Sequence, residues 1–287
     1  MRISPFIAAL LIMGCVASPE PGGSERFPTP EDYPPGVMEE ITFTAGGEHP
    51  WRLAALRTPP RPEAPWRIVV VTGTPSWPEF WAPTIARAPD TREMIVITRP
   101  GFQDSEPQDA VRDIAAQAAA LAPALDGPPG QRVVLLGQSF GAPVATLLAA
   151  QRPDRVRALV YVSGFFGDRG PTAQRLLGVG RIVAPILPRD FRNSVREVAA
   201  QGPQLPPVWD ALRSLDIPIV FLHGDADTFV PIEADRRIAA EFGHTLIAVP
   251  GGDHFLNACC VDATLAATEQ AIAEAEGRER AQPPAAP

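Results

Sequence analysis

From Glu39 onward the chain alternates between short apolar runs and longer Ala- and Leu-rich stretches in which apolar residues return every three or four positions. The short runs favour Val, Ile and Thr, as strands do, while the longer ones carry the period of amphipathic helices. Ile41 to Thr44 and Arg52 to Arg57 read as two opening strands around Gly46-Gly47. Ile68 to Thr72, Met94 to Thr98, Val133 to Leu136, Val156 to Val162, Ile217 to Leu222 and Thr245 to Val249 follow as further strands. Several are apolar without interruption, the pattern of a strand buried on both faces. Between them a short helix is predicted within Pro78 to Ala88. Longer helices are predicted over Gln108 to Leu121, Ala142 to Gln151, Ile232 to Phe242 and Leu256 to Glu276. Strand after helix after strand predicts an α/β fold, a mostly parallel central sheet with helices on both faces.

The alternation breaks between Gly164 and Leu215, where helical fragments are interrupted by Pro and Gly. This predicts one domain over residues 38–276 carrying a small helical cap at about 164–215. Its apolar residues, among them Phe165, Phe166, Leu176, Leu177, Ile182 and Ile186, would roof a pocket. The two ends differ from the domain. Met1-Arg2 precedes an apolar run from Pro5 to Met13, far short of the ~20 residues that a spanning helix needs. One positive charge before a short apolar stretch is the pattern of an export signal. Leu11-Ile12-Met13-Gly14-Cys15 resembles the lipobox of bacterial lipoproteins, in which the cysteine becomes the lipidated first residue. Residues 1–14 are therefore expected to be a signal peptide and Cys15 the lipidation site. Residues 15–37 are expected to be a Pro/Gly-rich tether, and 277–287 a disordered tail. The protein would be exported and held on a membrane surface of the bacterial cell envelope.

Composition narrows the partners. The formal net charge is −8, all 25 basic residues are Arg, and they form no cluster. That argues against nucleic-acid binding. No metal-ligand spacing appears, so neither a metal nor another cofactor is expected. Cys259 and Cys260 are the other cysteines. Adjacent α-carbons lie about 3.8 Å apart, below the usual disulfide window of roughly 4.4–6.8 Å. Two buried thiols at the start of a helix are therefore expected.

The chemistry centres on Gly137-Gln138-Ser139-Phe140-Gly141, between the run Val-Val-Leu-Leu and a helix. On a tight strand-to-helix turn, glycines two before and two after the serine let neighbouring backbones approach, and the helix N-terminus favours developing negative charge. A serine hydroxyl needs a base to take its proton. Of the four histidines, His254 lies on a Gly-rich loop before the last helix, and His223, at a strand end, comes second. An imidazole base in turn needs a carboxylate, and Gly224-Asp225-Ala226-Asp227 offers two. Trp77, Phe80 and Trp81 would line a pocket mouth or pack a helix on the sheet.

Taken together, residues from about Glu39 to Glu276 resemble the α/β-hydrolase superfamily in its small-esterase branch. Val71-Thr72-Gly73-Thr74-Pro75 resembles the His-Gly-x-Pro oxyanion loop, with Thr72 in place of His. Arg99-Pro100-Gly101-Phe102-Gln103-Asp104-Ser105 resembles Arg-x-Gly-x-Gly-x-Ser, with Gln103 in place of Gly. Gly224 through Val230-Pro231 matches Gly-x-x-Asp-x-x-Val-Pro, and Gly252-Asp253-His254-Phe255 matches Gly-x-His-Phe. The resemblance implies Ser139 as nucleophile, His254 as base and Asp227 as the supporting acid, which leaves Asp225 as a turn residue. It also implies an oxyanion hole from the backbone N–H groups of Phe140 and Thr74. The expected activity is hydrolysis of a small-molecule carboxylic ester or related acyl bond through an acyl-enzyme. An acyltransferase with the same triad and an inactive lipid-anchored binding protein are the alternatives.

Overall fold

Strands that are apolar at every position need cover on both faces, and the fold supplies it. The computed structural model describes residues 28–281. The strands are β1 (Glu39–Thr44), β2 (Arg52–Arg57), β3 (Trp66–Val71), β4 (Arg92–Ile97), β5 (Arg132–Gln138), β6 (Val156–Val162), β7 (Ile219–Gly224) and β8 (Thr245–Val249). They form one sheet in the order β1-β2-β4-β3-β5-β6-β7-β8. The pairings of β2 with β1 and β4 are antiparallel and all later ones parallel.

The helices are α1 (Ala82–Ala86), α2 (Ile114–Leu121), α3 (Gly141–Gln151), α4 (Pro171–Val183), α5 (Arg189–Ala200), α6 (Leu205–Ser214), α7 (Ile232–Phe242), α8 (Leu256–Cys259) and α9 (Val261–Ala281). Alternate strand residues face opposite layers. Val69, Val71, Leu135 and Tyr161 pack with α2, α3, α6 and α7. Ile68, Val70, Leu136 and Val160 pack with α1, α8 and α9. Burying one such aliphatic side chain fully contributes roughly 1.5–3 kcal/mol, so the two layers commit the sheet to its register.

Within the insertion, Val208 and Leu212 of α6, Val198 of α5 and Leu177 of α4 all belong to one core cluster. Phe165, Phe166 and Leu177 are buried as a roof would be, but Leu176, Ile182 and Ile186 are exposed. Those three do not line an enclosed pocket.

Three boundaries also depart from the sequence pattern. The helix expected from Gln108 starts at Ile114, because Asp113 caps it by accepting the N–H groups of Ala115 (2.8 Å) and Ala116 (3.1 Å). The preceding segment is held by tertiary bonds, with Asn193 of α5 donating to the carbonyls of Gly101 (2.7 Å) and Gln108 (3.1 Å). The last helix is broken at Cys260, which leaves helical dihedrals (φ −132°, ψ 48°). Cys259 and Cys260 sit in that break, exposed and half-buried, and are joined by a disulfide where two buried thiols were expected. Finally, α9 runs past Gly277 to Ala281 instead of giving way to a tail at 277. Arg132 holds it through Glu276 (3.4 Å) and Glu279 (2.6 Å). The expected signal peptide, Cys15, the tether as far as residue 27 and the tail from 282 lie outside the described residues.

Candidate active site

A parallel sheet collects its strand-to-helix loops at the carboxyl edge, and the residues singled out in the sequence fall there. Thr74 follows β3, Ser139 follows β5, Asp227 follows β7 and His254 follows β8. Ser139 has φ 49°, a left-handed conformation that costs a residue with a side chain on the order of 1 kcal/mol. The surroundings hold it there. Its N–H donates to the Val162 carbonyl (3.0 Å), and its own carbonyl accepts from Ala142 and Phe165 (both 3.0 Å). The flanking glycines are steric necessities. A Cβ on Gly141 would lie 2.1 Å from the Val71 carbonyl oxygen, and one on Gly137 would lie 2.7 Å from the Ala142 Cα.

Across the sheet edge, His254 Nδ1 lies 2.7 Å from Asp227 Oδ2. Asp227 Oδ1 accepts the N–H groups of Phe229 (2.7 Å) and Val230 (3.0 Å). Burial opposes ionisation of Asp227, but the His254 ring and the hydrogen bonds from His223 and His254 hold its carboxyl well below the usual range. An ionised carboxylate can only accept, so the hydrogen sits on His254 Nδ1 and the Nε2 lone pair is left to take a proton. Phe229 stacks on the ring at 5.0 Å and fixes its plane.

Asp225 plays a different part. It accepts from the Gly251 N–H (2.7 Å), while the N–H groups of Asp225 and Ala226 donate to the carbonyls of Val249 (3.1 Å) and Gly252 (3.0 Å). It braces the loop after β7 against the loop after β8.

His223, the second candidate base, is fully buried. Its Nδ1 meets Asp235 Oδ2 at 2.7 Å, and its Nε2 meets the Val230 carbonyl at 3.0 Å and Asp227 Oδ2 at 3.2 Å. Both ring nitrogens are engaged by these buried partners, so neither is free to take a proton from a serine. Burial works against a charged ring here, yet the hydrogen bonds to Asp227 and Asp235 push its pKa up to about 10. Wherever the proton of the 2.7 Å contact sits, Nε2 keeps its hydrogen and donates to the Val230 carbonyl, with Asp227 Oδ2 beside it at 3.2 Å. The remaining histidines are occupied elsewhere. His49 stacks on Trp51, and His244 packs beside Phe221 and Phe242.

No hydrogen bond reaches Ser139 Oγ among the described residues, but the segments that carry Ser139 and His254 are tied to each other. Gln138 Nε2 donates to Asn257 Oδ1 (2.8 Å), and Trp81 Nε1 donates to Gln138 Oε1 (2.9 Å). Asn257 Nδ2 donates to the Phe80 carbonyl (2.7 Å), and Thr84 Oγ1 donates to the Asn257 carbonyl (2.7 Å). Trp81 is thus a core anchor, with no pocket mouth to line. Asn257 is a positioning residue that the pattern of the sequence did not mark.

The loop after β3 is held from below. Arg99 uses all five N–H groups, donating to the carbonyls of Thr72 (2.8 Å) and Gly73 (2.7 Å), to Gln117 Oε1 (2.6 Å) and to both oxygens of Glu197 on α5 (2.8 Å each). The two charges of this pair are 0% and 1% exposed. The N–H groups of Thr74 and Phe140 donate to no other group among the described residues.

A model of the alpha/beta hydrolase family matches residues 68–267, a span that holds every element of this site. The chain belongs to that family. Against the family pattern the two departures have local causes. Thr72, in place of His, bonds Ser76 Oγ and donates to the Ile97 carbonyl (3.0 Å). Gln103 stands where Gly is common because the position is left-handed (φ 41°), and its side chain is anchored on Glu79 (2.8 and 2.9 Å).

Lipase LipV of Mycobacterium tuberculosis is 36% identical over 152 residues, 52% of this chain and 57% of that protein. The chain thus matches just over half the length of that relative. An esterase from Thermogutta terrifontis superposes with TM-score 0.63 at 20% identity, covering 84% of this chain and 98% of the other. The 2-hydroxy-6-oxo-6-phenylhexa-2,4-dienoate hydrolase of Rhodococcus sp. strain RHA1 gives 0.62 at 17% identity, covering 82% and 99%. A haloalkane dehalogenase from Bradyrhizobium elkanii gives 0.66 at 17% identity, covering 85% and 100%. At these identities the likeness is one of fold.

Proposed function

We propose that this alpha/beta hydrolase is a serine hydrolase that cleaves a carboxylic ester of a small molecule, with Ser139 as nucleophile, His254 as base and Asp227 as the supporting acid. The observation that carries the reading is the 2.7 Å pairing of His254 Nδ1 with a buried, ionised Asp227 at the sheet edge that also bears the strained Ser139 turn. In this reaction His254 Nε2 takes the Ser139 hydroxyl proton as Oγ attacks the carbonyl carbon. The backbone N–H groups of Phe140 and Thr74 receive the resulting oxyanion. Collapse expels the alcohol, which takes the proton from His254, and leaves an acyl-enzyme on Oγ. Water, deprotonated by the same Nε2, then attacks the acyl carbon, and collapse breaks the bond to Oγ as His254 returns the proton to Ser139 and the acid leaves. The Ser139–His254 hydrogen bond closes when substrate is bound, as such contacts commonly do. A serine nucleophile fits ester cleavage better than the carbon–halogen chemistry named for the Bradyrhizobium protein.

Fluorophosphonate labelling tests the reading. Ser139→Ala is expected to abolish labelling and to lower ester turnover by roughly 10⁴-fold or more. Undiminished turnover in the folded variant would remove the mechanism. The reading extends to export, which rests on Met1-Arg2 and the apolar run Pro5 to Met13, and to lipidation at Cys15, which rests on Leu11 to Cys15.

A further inference from the structure

Among the described residues, the large hydrophobic side chains that stay exposed lie on one short stretch of the cap. Leu176 is 44% exposed, Val179 61%, Ile182 81% and Ile186 84%. The first three recur at every third residue of α4, and Ile186 continues the row into the 3-10 turn Ala184–Ile186. They form one outward face, while Leu177 and Gly180 are buried on the other side.

The same stretch is basic. From Arg169 to Arg189 the chain carries four arginines and no acidic residue, in a protein of formal net charge −8. Arg169 and Arg189 are tied into the fold. Arg175 and Arg181 are exposed and have no ion-pair partner among the described residues.

We propose that this face of α4 docks on an anionic phospholipid bilayer. Leu176, Val179, Ile182 and Ile186 enter the boundary between headgroups and acyl chains, and Arg175 and Arg181 meet the phosphates. Charge complementarity selects this occupant. A basic patch on an acidic molecule is drawn to a negative lipid surface with that face forward. A second copy would bring the same patch against itself, setting unpaired guanidinium groups of both copies side by side. No helix among the described residues is long and apolar enough to cross a membrane, so the contact is one of surface docking.

The placement ties docking to the site. The N–H groups of Gly170 and Thr172 donate to the carbonyls of Phe229 (2.7 Å) and Thr228 (3.1 Å), on the loop that carries Asp227. Phe229 in turn stacks on His254. From Gly170 to Leu176 is about 9 Å along a helix axis, so bound lipid lies close to that loop. The inference does not depend on the hydrolase reading.

Sedimentation with vesicles tests it, using the full chain with Cys15→Ser so that no acyl anchor forms. Vesicles of phosphatidylglycerol and phosphatidylcholine are expected to bind the protein, and pure phosphatidylcholine to bind it much less. Ile182→Glu/Ile186→Glu is expected to weaken binding to the mixed vesicles by at least about tenfold. Arg175→Gln/Arg181→Gln is expected to weaken it and to reduce its salt sensitivity. Thermal unfolding and hydrolysis of a soluble butyrate ester, followed in parallel, should be unchanged in both variants. Equal binding of wild type and Ile182→Glu/Ile186→Glu overturns the proposal. So does light scattering that shows this variant splitting a dimer while vesicle binding stays the same.

Discussion

Asp227 Oδ2 serves two rings, His254 at 2.7 Å and His223 at 3.2 Å. Replacing its carboxylate by an amide removes the acceptor that selects the His254 tautomer, a change that can cost about 10⁴ in kcat with the fold intact. Asp225 only joins two loops. Asp227→Asn should therefore lose kcat and Asp225→Asn mainly stability, read by ester turnover and thermal unfolding of both. Loss of activity in Asp225→Asn alone would reverse the assignment. His223 makes a second prediction. Its folded pKa, near 10, lies above the unfolded value of about 6.5. Its stabilisation is therefore complete below pH ~6.5 and is lost as pH rises toward 10. Urea unfolding should find His223→Gln less stable at pH 6, with the gap narrowing by pH 10. A gap independent of pH would mean that the ring is neutral throughout.

At the scale of elements, α5 and the loop after β3 are joined through one buried ion pair. Arg99 carries the carbonyls of Thr72 and Gly73 on the same guanidinium that Glu197 of α5 neutralises. Removing one partner of such a pair leaves a buried charge and costs about 3–5 kcal/mol, whereas an apolar replacement of both can be nearly neutral. Glu197→Gln should thus lower thermal stability and kcat together. Arg99→Met/Glu197→Leu should recover most of the stability but not kcat, because the loop carbonyls lose their donors. If kcat recovers along with stability, the pair serves the fold alone. Neither Glu197 nor Asn193 was visible as a site residue. Both are polar positions on an amphipathic helix, and only packing shows that they face inward.

For the whole molecule, the proposed docking of α4 and the proposed lipidation of Cys15 are two separate proposals about one surface, a membrane. Metabolic labelling with a palmitate analogue should mark the wild type and spare Cys15→Ser. Equal labelling of the two would exclude the anchor while leaving the docking proposal to the vesicle measurements.

What the sequence by itself determined was the part of the protein governed by local period and short spacing. Continuous β-branched runs dictate strands buried on both faces, hence a parallel sheet with two helical layers. The Gly137 to Gly141 turn and the Gly-rich loops around Asp227 and His254 are legible because their backbone conformations admit few residue types. Tertiary structure decided whatever depends on which distant groups meet. It placed the Asp225 carboxylate on the Gly251 N–H and the Asp227 carboxylate on the His254 ring. It buried His223 and engaged both of its ring nitrogens with Asp235, Val230 and Asp227. It broke the last helix at Cys260 and turned Leu176, Ile182 and Ile186 outward instead of over a pocket. A hydrophobic residue announces that it needs cover, but the sequence does not say from which neighbour the cover comes.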